Sequence, residues 1–157
     1  MKLILYVADE FKKLEGGKTL AVGLFTDRVV VLNVPQETPP PSHEMPYGVP
    51  LGLLACLMDL PTAELTGSMT VVPPSGQVVV SIPSFKANGL IGGSTNVSFR
   101  LDPFLMTDEG IYTVVLSFEG LEELSEKFEL RIKRIDGTAA PTLFVRQIGK
   151  PLGESAQ

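Results

Sequence analysis

Three stretches in the C-terminal half of the chain alternate apolar and polar residues with a period of two. Val97, Phe99 and Leu101 alternate with Asn96, Ser98 and Arg100. Tyr112, Val114, Leu116 and Phe118 share one parity, and Ile111, Thr113, Val115 and Ser117 share the other. Phe128, Leu130 and Ile132 alternate with Lys127, Glu129, Arg131 and Lys133, which gives that strand one wet face. Successive side chains of a strand point to opposite faces, so each pattern marks a half-buried strand. Three in a row predict an antiparallel meander packed on a second layer.

The N-terminal half reads as shorter strands between turn residues. Leu3 to Ala8 is apolar on both faces, as a central strand buried on both sides would be. Asp9 to Lys18 is polar, holds Gly16-Gly17 and reads as a loop, with a candidate helical turn over Glu10 to Leu14. Thr19 to Phe25 and Arg28 to Val34 are strands joined tightly at Thr26-Asp27; the alternative is one long strand over Leu20 to Leu32 with a bulge at Gly23. Val49 to Met58 is a buried strand closed by Asp59-Leu60-Pro61. Leu65 to Val72 and Gln77 to Ile82 form a hairpin around Pro73-Pro74-Ser75-Gly76, where Pro at the second position and Gly at the fourth suit a type I turn. Phe85 to Thr95 reads as a surface loop with a short strand at Leu90-Ile91. Gly120 to Lys127 fits helical spacing through Leu121, Leu124 and Phe128, but its flanks favour a hairpin. Pro35 to Pro46 holds Pro39-Pro40-Pro41, which favours an extended crossover without ladder donors. Pro141 to Ile148 is a last apolar stretch, fit for an edge strand or for reaching a second subunit.

The corner of the meander is Asp108-Glu109-Gly110-Ile111-Tyr112. Gly110 permits a sharp turn. Two residues on, Tyr112 can bury its ring while its hydroxyl bonds an upstream backbone group. This spacing resembles the tyrosine corner of immunoglobulin-like domains, although Val114 stands where antibody domains carry a cysteine. A wider resemblance involves Val7-Ala8-Asp9-Glu10, Gly17-Lys18-Thr19-Leu20, Gly23-Leu24-Phe25-Thr26-Asp27-Arg28, Pro74-Ser75-Gly76 and Gly110-Ile111-Tyr112. Together these look like a group of small uncharacterised bacterial and phage-associated β-sandwich proteins, over roughly residues 1–134. That resemblance implies an immunoglobulin-like sandwich and no particular activity.

Composition narrows the picture. A chain of 157 residues fits a single domain over 1–157, with a Pro-rich loop at 35–46 and a C-terminal extension at 138–157. Gly (15) and Pro (13) punctuate short segments and favour strands over long helices. The net charge is −5 and the cations are scattered, so neither nucleic acid nor anionic lipid is an expected partner. The single cysteine, Cys56, lies in an apolar run and reads as a buried packing residue in a reducing compartment. The six apolar residues Leu3 to Ala8, followed by Asp9 and Glu10, are too short and too acidic for a signal peptide, and Pro50 and Gly52 interrupt the longest apolar run. The expectation is a cytoplasmic protein.

Candidate chemistry is sparse. The one histidine, His43, sits between Ser42 and Glu44 in the Pro-rich loop and reads as solvated rather than as a catalytic base. One His and one Cys in unrelated segments are not a transition-metal site. Asp108-Glu109 and Glu122-Glu123 are the acidic pairs to weigh for calcium, and both read as turn or surface residues. Gly16-Gly17-Lys18-Thr19 ends like a phosphate-binding loop but lacks the required upstream Gly and is followed by a strand. No catalytic, cofactor-binding or metal-binding residue is assigned, and no cofactor. The reading is an all-β, mostly antiparallel, immunoglobulin-like sandwich of about seven to nine strands. It serves as a non-enzymatic binding or assembly module of bacterial or phage origin, with a protein partner or homo-oligomer. The alternatives are an enzyme with carboxylates on sandwich loops and a small-ligand or carbohydrate binder.

Overall fold

The computed structural model describes residues 1–136 and the backbone of residues 146–147. Its strands are β1 (Lys2–Lys13), β2 (Thr19–Phe25), β3 (Val29–Pro35), β4 (Tyr47–Met58), β5 (Glu64–Val72), β6 (Val80–Asn88), β7 (Ser94–Met106), β8 (Gly110–Phe118), β9 (Leu124–Ile135) and β10 (Arg146–Gln147). They form two packed sheets, an all-β sandwich. The first sheet runs β7-β4-β1-β2, with β10 also on β4; the second runs β3-β9-β8-β5-β6. Every pairing is antiparallel except β3 with β9, which is parallel. That exception follows from the chain path. β2 ends in the first sheet, and β3 must cross to the second, where it arrives beside the last long strand.

The crossing is a tight corner, as Thr26-Asp27 predicts. The Arg28 N–H donates to the Phe25 carbonyl at 3.0 Å, and the Val29 N–H donates to the Asp27 carboxylate at 3.0 Å. Arg28 then meets Glu126 of β9 at 2.5 Å and accepts the Glu129 N–H on its carbonyl at 2.9 Å. The alternative reading fails: the chain breaks at this corner, and the β1–β2 register passes Gly23 without a shift, although Gly23 sits at φ +67° inside β2. The Pro-rich segment is the expected crossover, carrying the chain from β3 back to β4. It is pinned from both sides: Tyr47 donates to the Pro39 carbonyl, and Arg134 donates to the Pro35 and Thr38 carbonyls.

Apolar residues of one parity from both sheets fill the space between them. Phe104, Tyr112 and Phe128 make one aromatic group, with Tyr112 stacked on Phe128 at 5.5 Å and Phe104 edge-on to both. Phe85, Phe99 and Phe118 make a second group that joins the sheets at their other end. Gly67 leaves room for it; a Cβ there would stand 2.7 Å from the Phe118 ring and 3.0 Å from Phe85. Such aromatic pairs contribute about 0.5–1.5 kcal/mol each beyond their burial.

Three sequence readings need correction. Asp9 to Lys13 is not loop: β1 continues because Glu10 to Lys13 pair with Val22 to Thr19, and only Glu15–Gly17 forms a 3₁₀ turn. The partner strand decided this, not local polarity. Phe85 to Asn88 is likewise strand, since Phe85 and Ala87 pair with Gly67 and Leu65 and face the core. The loop shrinks to a tight turn, tied to Leu60 through Gly92 and Gly93, and it holds Leu90 and Ile91 at its exposed tip instead of in a strand. The Pro73–Gly76 turn closes as expected, with the Gly76 N–H donating to the Pro73 carbonyl at 2.9 Å, but β6 begins only at Val80. Gly120 to Lys127 is the predicted hairpin. Of Pro141 to Ile148, only Arg146 and Gln147 are described. They pair with Gly48 and Tyr47, on the flank of β4 that β1 leaves after Ala8.

The tyrosine corner is present. Tyr112 is fully buried. Its hydroxyl accepts the Thr107 and Asp108 N–H groups at 3.2 and 3.1 Å and donates to the Asp108 carbonyl at 2.7 Å. Burial pushes this phenol above its ordinary pKa, so it stays protonated and able to donate. Tyr112→Phe should cost about 1–2 kcal/mol, because one buried and one part-buried donor lose their acceptor. Chemical denaturation of the two proteins checks this; equal midpoints would mean that the corner is not held by the hydroxyl.

A candidate interaction face on the first sheet

The register of the first sheet sorts its residues into two faces. The inner row includes Leu5 and Val7 of β1 and Leu51, Leu53, Ala55 and Leu57 of β4, all buried. The opposite row therefore points away from the core. On β1 it carries Ile4 and Tyr6, paired with Cys56 and Leu54 of β4. On β2 it carries Leu24, Val22 and Leu20, paired with Ala8, Glu10 and Lys12. The large apolar side chains of β1 and β2 on this face are open to solvent, with Ile4, Tyr6, Leu20, Val22 and Leu24 each 39–45% exposed, while Ala8 and Leu54 among them are buried. The outer face of the second sheet differs. There Ile111 and Val31 are interleaved with Lys127, Glu129, Arg131 and Lys133, and Arg131 grips Glu129 with two hydrogen bonds of 2.8 and 3.0 Å.

The sheet is not flat at this face. A Cβ on Gly52 would meet the Phe11 ring at 3.0 Å and the Glu10 Cα at 3.4 Å, so β1 rises over the outer side of β4 once past Ala8. The β1–β2 hairpin thus continues as an arm. Gly23 shapes it: a side chain there would overlap the Asp9 carboxylate, whose Oδ1 is buried with no hydrogen-bond partner among the described residues. Under the arm lies a cleft of about 210 Å³ between Asp9, Glu10 and Val22 on one side and Pro50, Arg100 and Asp102 on the other. Its charges partner one another, Lys12 with Glu10 at 3.7 Å and Arg100 with Asp102 at 3.7 Å.

The residues weighed for chemistry do not converge. His43 is exposed, 3.2 Å from Ser75 across the sandwich end, and links the Pro-rich loop to the β5–β6 turn. Asp108 accepts the Thr107 hydroxyl at 3.1 Å, and Glu109 accepts the Ile132 N–H at 2.7 Å, so both acids serve the corner. Beside them is a cleft of about 360 Å³ lined by Pro40, Pro41, Ile132 and Arg134. Glu123 accepts the Ser117 hydroxyl at 3.0 Å. Gly16-Gly17-Lys18-Thr19 forms the tip of the arm and leads into β2, not into a helix. Among the described residues no group of three or more His, Cys, Asp or Glu is placed to hold a metal ion, and no helix is long and apolar enough to cross a membrane. Cys56 departs from expectation: it is half-buried, on the outer row between Ile4 and Asn96.

Sequence reasoning missed the apolar face, although the signal was there. Leu3 to Ala8 is apolar on both parities, which reads as burial on both sides; in the fold the outer side is covered at Ala8 and left open at Ile4 and Tyr6. Against known proteins, no family model matches the chain, and no curated protein matches its sequence. The class of the protein is defined by the fold itself, an all-β two-sheet sandwich with one exposed apolar face.

Two outcomes are expected for the arm. Gly23→Ala should destabilise by at least about 1 kcal/mol, since the left-handed backbone alone costs that much. Asp9→Ala in the same chain should recover the steric part and leave the backbone part, which a double-mutant cycle reads. Burial holds the Asp9 carboxyl above the usual carboxylate range. The folded state therefore binds this proton more tightly than the unfolded chain, and the group's contribution to stability falls as pH rises through the carboxylate range. Asp9→Asn should flatten that part of the stability profile between roughly pH 3 and 6. An unchanged slope would show that the carboxyl is not desolvated.

Proposed function

We propose that this protein is a non-enzymatic binding or assembly module built on an immunoglobulin-like sandwich. The observation that carries the reading is the outer face of the first sheet. Isolated exposed apolar side chains are ordinary on a protein surface, but a contiguous patch marks a contact site. Five side chains on two adjacent strands form such a patch, and the second sheet has no equivalent.

The immunoglobulin-like part of the reading is supported by strand order. With β4 taken as strand B, β7 lies beside it where E belongs, and β9-β8-β5-β6 follow the order G-F-C-C′. The tyrosine corner then falls at the start of strand F, its usual place. The lone Cys56 agrees with work in the cytoplasm.

The test is site-specific photo-crosslinking in the native extract. A photoreactive side chain at position 6 should give protein adducts on irradiation. The same group at position 111, an exposed apolar site on the other sheet, should give few or none. Equal adduct yields at the two positions would remove the basis for the reading.

A further inference from the structure

The apolar face also indicates who its partner is. We infer that it docks onto the same face of a second copy of this chain, about a two-fold axis passing near Tyr6; this rests on the binding-module reading and names its partner.

The first argument is charge. Along β1 the outer row runs Lys2, Ile4, Tyr6, Ala8, Glu10, Lys12: a lone cation at one end, an acid followed by a cation at the other, and uncharged side chains between. The Lys2 side chain is 74% exposed and that of Glu10 38%, and their present ion pairs are long, 4.0 Å to Asp59 and 3.7 Å to Lys12. An isologous interface must be self-complementary. Turning the row over about an in-plane axis at Tyr6 sets Lys2 of each copy against Glu10 of the other. On β4 the same axis passes Leu54, the residue paired with Tyr6. A partner of a single charge sign would meet repulsion at one end of this row.

The second argument is area. At their exposures the five apolar side chains leave roughly 400 Å² of apolar surface open. A stable dimer buries about 800 Å² per partner, a little over half of it apolar. One such face supplies about the apolar half of one side. The third argument is shape. The arm rises out of the sheet on the side of Glu10, so across the axis it overlies the uncovered end of the other copy's sheet, at Ile4 and Met58.

Sedimentation of the full chain from low micromolar to about 100 µM tests the inference. The expected result is a reversible monomer–dimer equilibrium in that range. Tyr6→Glu should weaken it by at least about 10-fold with an unchanged melting curve, since Tyr6 contributes nothing to the core. Lys2→Glu and Glu10→Lys should each weaken it several-fold, and the double variant should restore it. Labelling of Cys56 by a thiol reagent should slow over the same concentration range. A chain that stays monomeric to 100 µM overturns the proposal, as does a dimer unmoved by Tyr6→Glu, or a double charge variant weaker than either single one. Crosslinking at position 6 separates the two levels. Adducts of twice the 16.9 kDa chain mass support self-docking. Adducts of other masses from a monomeric chain leave the binding reading standing and overturn the second copy as partner. Neither dimer nor adduct overturns both.

Discussion

The hydroxyl of Tyr112 is the joint on which the sandwich turns. It satisfies two backbone donors and one acceptor at Thr107 and Asp108, at the point where the chain leaves β7 in one sheet and enters β8 in the other. A connection between sheets has no ladder of its own, and its buried polar groups must find partners elsewhere. Here one side chain supplies them. The ring that carries the hydroxyl stacks on Phe128 and meets Phe104 edge-on, so the same residue links the corner to both sheets. Glu109 extends the arrangement by accepting the Ile132 N–H of β9. The acids of the corner are therefore architectural.

That surface arises from a mismatch between the two sheets. Both inner faces are sealed, and both outer faces meet solvent, but they are composed differently. The second sheet mixes its outer apolar residues with paired charges, which keep an exposed sheet solvated. The first sheet places its charges at the ends of the outer row and leaves the middle apolar. Gly23 and Gly52 belong to the same design. One gives the arm its bend and seats the Asp9 carboxylate; the other lets β1 pass over β4 at close range. Both glycines serve the shape of the face and not the core.

Legibility in the sequence varied with the source of each signal. The Asp-x-Gly-x-Tyr spacing led to a buried tyrosine and its backbone partners because the motif is local: every participant lies within six residues. The period-two rows of β7, β8 and β9 were equally clear, since each strand has one wet face and one dry one. Asp9 to Lys13 was misread because its polarity is that of a loop, while its strand state comes from hydrogen bonds to Val22, Ala21, Leu20 and Thr19. Phe85 to Asn88 failed for the same reason, with glycines nearby masking a pairing to β5. The candidate face was half-legible. The residues were conspicuous, but their exposure was not.

The sequence by itself determined the all-β class, the positions of most strands, the tyrosine corner and the crossover role of the Pro-rich segment. These depend on side-chain parity, turn chemistry and residue inventory, all of which are local properties. Tertiary structure alone decided the parallel pairing of β3 with β9, the extension of β1 into an arm, and the half-exposed setting of Cys56. It also decided which side of Leu3 to Ala8 would be covered. Apolar residues on both faces of a strand state that each face prefers burial. They do not say whether the chain has a second layer to give it, and here the outer face is covered at Ala8 and left open at Ile4 and Tyr6.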